Sequence, residues 1–444
     1  FQGLIGVSRV DITPPVGIYA RSWGAAKHEV AEGIHKPLYL TCITFASEDV
    51  ASPLVLVGLD LMTWRSREDE HFVRDAILAD IGDEARVMIC LTHNHAAPSA
   101  RRDDAGKPGG HLIEPYFELL RDSAASAFRA AQSSAQRATL TWHYSKCDLA
   151  TNRDFPEPGG NRIVCGFNPD APADDTLLVG RITADTGAAL ATIVNYACHP
   201  TTLAWDNKLI SPDYVGAMRE LVTSHTKAPV LFLQGASGEL APAEQYTGDT
   251  QVADRHGRRL GFAVLSALEA MPSPGKQLAY GGVVESGAPL AVWKQQDAPL
   301  STYLSAKQIA VEYPLKPLPS LAELEAQWQR ETDPVLKERL WRKRAVRRTV
   351  GDGTTTKMPL WVWKLGDSFL VGQANEAYSL FQTALRTHLK PHAVAVMNVV
   401  NGSAGYLPPS ELYDREIYQV WQSPFDRGSL ERLIEAARDV MADL

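Results

Sequence analysis

A chain of 444 residues, 45% hydrophobic and 22% charged, can bury a large core as one elaborate domain or as two to three smaller ones. Its formal charge of −8 lacks the basic surplus on which phosphate-backbone binding depends, so no nucleic-acid partner is expected. No run approaches the roughly 18 apolar residues of a membrane-spanning helix, so the chain reads as soluble: secreted or periplasmic if a leader has been removed, cytoplasmic otherwise.

The first residues, Phe1-Gln2-Gly3, resemble the remnant of a cleaved tag, which sets the expected domain at residues 4–444. Leu38–Phe45 and Leu54–Leu59 read as strands, and Arg67–Ile81 has helical spacing with acidic residues in its first turn. Val87–Leu91 is a short apolar strand that runs into Thr92-His93-Asn94-His95. A Gly/Pro/Asp-rich loop, Arg101–Gly110, then leads to a helix over Glu114–Ala131. Leu190–Tyr196 is a β run ending at Cys198-His199-Pro200, and Val230–Gln234 another ending at Gly235-Ala236-Ser237-Gly238-Glu239. Ala253–Met271 is helical.

Between about 275 and 355 the composition changes. Pro-rich stretches surround Ser320–Val350, a long charged helical pattern interrupted by Pro334, which reads as an α-helical or irregular insertion or cap. Its run Lys337–Arg348, with seven Lys and Arg, reads as a solvated helix face. Leu360–Leu365 and Ser368–Val371 form a hairpin around Gly366-Asp367, followed by Glu376 and a helix to Leu389. Ala393–Val400 is a further strand, leading to Tyr406. The alternation predicts an α/β fold, a mixed sheet flanked by helices.

The polar residues of interest follow strand ends, where open α/β sheets place their ligands. His93 and His95, two apart on an extended chain, face the same side, and neutral imidazole is the commonest metal ligand. A catalytic zinc takes about three protein ligands and keeps one position open. His199 is read either as a third ligand or as a hydrogen-bonded core residue, and Glu376 either as a ligand or as a helix-terminal charge. The five cysteines contain no CxxC pair, so neither a disulfide framework nor a thiolate zinc site is indicated. Gly235–Pro242 lacks the spacing of a nucleotide loop, and Gly235-Ala236-Ser237-Gly238-Glu239 is not G-x-S-x-G, so a serine triad is unsupported. Asp60 and Asp213 are candidates to orient a ligating imidazole.

Taken in order, these residues resemble the neutral, non-lysosomal ceramidase family of zinc-dependent amide hydrolases. Gly6-Val7-Ser8-Arg9-Val10-Asp11-Ile12-Thr13-Pro14-Pro15 is similar to the family's opening motif, Gly33-Ile34-His35-Lys36-Pro37-Leu38 to its GIHxxL segment, and Thr92-His93-Asn94-His95-Ala96-Ala97-Pro98 to THTHSGP. Asn152-Arg153, His199, Leu209-Ile210-Ser211-Pro212-Asp213, Glu376 and Gly405-Tyr406 follow in family order. The resemblance implies one zinc ion per chain, with His93, His199, Glu376 and Tyr406 as metal ligands. It further implies that His95, Arg153 and Tyr406 act in catalysis, His95 and Arg153 facing the reacting carbonyl.

Two departures stand out. The family's serine in its G-N/D-L/V-S-P loop is replaced by Ala241 in Gly238-Glu239-Leu240-Ala241-Pro242. The chain ends at Leu444, soon after Tyr406, so the family's C-terminal immunoglobulin-like domain is not expected. The expected function is zinc-dependent hydrolysis of an N-acyl amide by a zinc-activated water, with a small-molecule or lipid amide as substrate. The competing expectations are a hydrolase for small polar amides and a catalytically silent metal-containing binding protein.

Overall fold

The computed structural model describes residues 1–47, 52–98 and 101–444. The strands that sequence marks most clearly are the most deeply placed: every residue of Leu54–Leu59, Val87–Leu91 and Val230–Gln234 is buried. Continuous apolar runs of this kind suit strands covered on both faces. They belong to an eight-stranded sheet in the order 230–234, 189–196, 176–184, 136–146, 2–11, 39–46, 54–59, 87–91. Its outermost pairs on both edges are parallel, and those between are antiparallel. The mixed sheet expected from sequence is therefore present. Phe1 and Gln2 are part of it: Phe1 is buried, and the strand begins at Gln2.

A second sheet, Leu304–Pro314, Thr355–Leu365, Ser368–Gln373 and Val394–Met397, lies face to face with the first. Between them Trp361, Trp363, Leu370 and Met397 of the second sheet share one core with Leu56, Met88, Leu231 and Leu233 of the first. Helices cover both outer faces. Arg67–Ile81 and Ile113–Ser133 contribute Ile77, Phe117 and Leu120 against Val55, Val57 and Ile89. On the far side Phe381, Leu385, Leu433 and Ile434 pack on Leu360, Val362 and Val371. Helix, sheet, sheet, helix is the layer order, with apolar burial at each boundary.

Local signals set the boundaries. The Ser66 hydroxyl accepts the Asp69 N–H and opens the helix Arg67–Ile81, which Gly82, at φ 72°, closes in the left-handed conformation.

The region 275–355 differs from the helical or irregular cap expected. It contains an exposed hairpin, Lys276–Glu285 with Pro289–Asp297, and the strand Leu304–Pro314 of the second sheet, before its two helices Leu321–Arg330 and Pro334–Val350. The end of Leu304–Pro314 alternates in burial, Val311 and Tyr313 inward and Ala310 and Glu312 outward, the period-2 pattern of a half-covered strand. Pro334 does not interrupt one helix; it occupies the first turn of the second, after the Asp333 cap, where its missing N–H costs nothing. The basic run is only partly a solvated face. Arg344 and Arg347 are buried, and Arg101 stacks on Trp341 at 3.9 Å.

Candidate metal centre

Strands from both sheets end at one place. After Val87–Leu91 the chain is tied to its neighbour by Thr92 N–H to the Leu59 carbonyl and His93 N–H to the Leu61 carbonyl, both 2.9 Å. His93 then takes φ 63°, an uncommon conformation for a residue with a side chain. The extended-chain geometry expected for His93 and His95 is therefore absent: the segment turns, and the two rings meet edge to face at 5.1 Å. His199 follows Ala189–Tyr196 and is held by its N–H to the Leu240 carbonyl. Glu376 and Tyr406, far apart in sequence, are register partners in a short parallel pairing that sets them side by side.

The side chains converge tightly. His93 Nε2 lies 3.2 Å from His199 Nε2 and 3.2 Å from Glu376 Oε2, and His199 Nε2 lies 3.1 Å from the same carboxylate oxygen. His93 Nδ1 is 2.6 Å from the Met62 carbonyl and His199 Nδ1 is 2.7 Å from the Ser237 carbonyl. A carbonyl only accepts, so each Nδ1 donates its proton there, and each Nε2 is turned toward the other ring and the Glu376 carboxylate. Burial, reinforced by the nearby Arg153 charge, holds the His199 pKa down at about 3. Burial pushes the Glu376 carboxyl up, but His93 and His199 outweigh it and hold it well below its ordinary value.

Three atoms able to ligate a metal thus face one another. Zinc bonded to nitrogen and oxygen at about 2.0–2.2 Å in a tetrahedron separates its ligand atoms by roughly 3.3–3.5 Å, close to the triangle found here. His95 adds a ring nitrogen, since His93, His95 and His199 offer ligand atoms within 4.8 Å of one another. This group of residues can hold a metal ion.

The imidazoles are oriented by backbone carbonyls, which corrects the roles read for Asp60 and Asp213. Asp60 accepts from the Arg219 guanidinium and the Tyr39 N–H, both 2.7 Å. Asp213 accepts the Leu203 and Tyr214 N–H groups at the start of the helix Tyr214–Thr226. Both are structural.

Arg153 is buried and donates from Nη2 to the Gly238 carbonyl at 2.7 Å and to the Tyr406 hydroxyl at 3.2 Å, with His199 Nε2 at 3.4 Å. Tyr406 in turn hydrogen-bonds Glu376; burial and that carboxylate push its hydroxyl pKa well up. His95 stands apart. Its Nε2 is buried without a partner among the described residues, its ring lies 5.2 Å from Trp23, and burial, then His93 and His199, hold its pKa well down.

The loop Gly235–Pro242 has a structural explanation. A Cβ on Gly238 would stand 2.6 Å from Tyr378, so the glycine permits a close approach rather than an anion cradle. Ser237 is buried with its hydroxyl taken by Gln234, and Ala241 is buried with its carbonyl taken by the Thr151 hydroxyl.

A cavity of about 590 Å³ adjoins the site, lined in part by Ser22, Trp23 and Met62, which touch His95 or His93, and by Arg65 and Arg342. Sequence reasoning passed over Trp23 and Arg65. Arg65 follows the end of the strand Leu54–Leu59, the same kind of position that singled out the histidines, whereas Trp23 carries no local signal.

No family model matches the chain, and no curated protein matches it. Among solved structures, a ceramidase described as complexed with C2 aligns with a TM-score of 0.71 at 15% identity, covering 99% of this chain and 75% of that one. A neutral ceramidase from Pseudomonas aeruginosa aligns with a TM-score of 0.71 at 16% identity, with the same coverages of 99% and 75%. The resemblance seen in the motifs is thus matched by the fold, which is that of the neutral ceramidases.

Proposed function

We propose that the chain is a zinc-dependent hydrolase of N-acyl amides, with His93, His199, Glu376 and Tyr406 as the metal ligands. The observation that carries this reading is the close triangle of ligand atoms: two imidazole Nε2 atoms and a carboxylate oxygen 3.1–3.2 Å apart, with both Nδ1 atoms committed to carbonyls on the far side. Imidazole nitrogens and a carboxylate oxygen are the ligand types zinc takes, and with their Nδ1 protons held elsewhere the two rings can each give an Nε2 to one ion. The fold shared with ceramidases, among them one described in complex with C2, supports the amide class.

Zinc held there supplies Lewis acidity and brings the pKa of a bound water toward neutrality. The chain supplies the rest. His95, neutral and unpartnered at Nε2, takes the proton that water loses on attacking the acyl carbon. It returns a proton to the leaving amine as the C–N bond breaks, giving a carboxylic acid and an amine. Arg153, fixed by Gly238, places permanent positive charge beside the developing oxyanion. No step uses a serine, so Ala241 does not disable the reaction.

The test is metal content with activity. Purified protein is expected to carry about one zinc per chain, and chelation is expected to abolish hydrolysis of an N-acyl amide until zinc is restored. A chain that binds zinc at this site yet hydrolyses no amide would instead be a metal-containing binding protein.

A further inference from the structure

The adjoining cavity is lined by more cations than acids, Arg21, Arg65, Arg101, Lys107, Arg339 and Arg342 against Glu29 and Glu338, and Arg101 is further paired with Asp104. Glu29 pairs with Arg21 at 2.9 Å, while Glu338 is shared between Arg101 at 3.6 Å and Arg342 at 3.3 Å. Among the described residues, Arg65 and Arg339 have no carboxylate within ion-pair distance, although both line the cavity. Arg65 is the more constrained: burial, then the charges of Arg342 and Arg101, bring its pKa down to about 10. Arg65 follows the loop whose Met62 carbonyl fixes His93, and Arg342 stands on the helix Pro334–Val350.

Arg65 has no counter-charge and Arg342 only one that it shares with Arg101, so the two guanidinium groups repel one another, and a planar oxyanion that accepts from both relieves this. We propose that this cavity binds an anionic group of the amide substrate, with Arg65 and Arg342 as its binding pair, so that the enzyme prefers N-acyl compounds carrying a carboxylate or sulfonate near the scissile bond. This rests on the amide-hydrolase reading above and narrows its substrate class. It assigns a role to the helix 334–350 as the roof of the binding site.

The experiment compares three amides with the same acyl chain on the zinc-loaded full chain: an N-acylglycine, an N-acyltaurine and an uncharged N-acylethanolamine. Both anionic amides are expected to exceed the neutral one in kcat/KM by about tenfold or more, and their relative rates distinguish carboxylate from sulfonate recognition. Arg65→Gln with Arg342→Gln is expected to cut the anionic-to-neutral ratio by at least about tenfold, through KM. Lys343→Gln, on the same helix but away from this cavity, serves as control and is expected to keep the ratio. Equal or better turnover of the neutral amide, or a double variant that depresses all three equally, overturns the inference. If no amide is hydrolysed, the hydrolase reading fails separately. The cavity is then judged by calorimetric binding of the N-acylglycine: salt-sensitive binding lost in the double variant upholds it, and no saturable binding rejects it.

Discussion

Behind His93 and His199 each Nδ1 has a backbone partner and each ring is buried, whereas in the adjoining cavity Arg65 and Arg339 have no acidic partner among the described residues and Arg342 is half exposed. One wall is a set of acceptors preorganised around a point; the other is a set of donors left open. The difference teaches where rigidity is needed. A metal requires fixed lone pairs at fixed separations, while a substrate's charge has to be met by groups that can close on it and let go.

Removing the acceptor wall has the largest expected effect. His93→Ala, His199→Ala or Glu376→Ala should weaken zinc binding beyond the roughly 10- to 100-fold that loss of an outer partner costs, and should abolish hydrolysis. Metal content after dialysis and turnover of an N-acyl amide check this. Retention of stoichiometric zinc by either histidine variant would break the comparison at its root.

Next in size is Arg153→Ala, expected to lower kcat by about 100- to 1000-fold, as loss of one oxyanion donor does, with zinc still bound. Loss of zinc in that variant would make Arg153 part of the metal wall instead. His95→Gln is expected to lower kcat by about 100-fold or more, again with zinc retained, and to remove from the acid side of the pH–rate profile the limb set by protonation of His95.

The smallest effect concerns stability. Glu239 sits beside the acceptor wall, and burial, opposed by its hydrogen bonds from Ser379, raises its pKa from 4.5 to about 7. Its protonated form is therefore favoured by folding, so this contribution is full below pH 4.5 and is lost as pH rises through about 7. The shift sets an upper bound of about 3 kcal/mol. Glu239→Gln should flatten the fall in Tm between pH 5 and pH 8; an unchanged slope would show that another group carries it.

What sequence revealed follows from burial. Leu54–Leu59, Arg67–Ile81, Val87–Leu91 and Val230–Gln234 match their expected bounds because apolar runs and a helical spacing with an acidic first turn are local signals. That two sheets lie face to face was not legible, since a doubly buried strand does not say whether helix or sheet covers it. The convergence of His93, His199, Glu376 and Tyr406 was readable from strand ends and motif order. Their orientation was not: the Met62 and Ser237 carbonyls that fix the imidazoles are backbone groups with no residue type to betray them, whereas the acidic Asp60 and Asp213 serve Arg219 and a helix start instead. The turn at His93 was equally hidden, because φ 63° in a residue other than glycine is imposed by its surroundings.

The most direct measurement is an anomalous difference map from crystals of the zinc-loaded chain, recorded above and below the zinc absorption edge. The account predicts one strong peak inside the triangle of His93 Nε2, His199 Nε2 and Glu376 Oε2, within bonding distance of all three, that disappears below the edge. A peak elsewhere, or none at this triangle at full zinc loading, would contradict it.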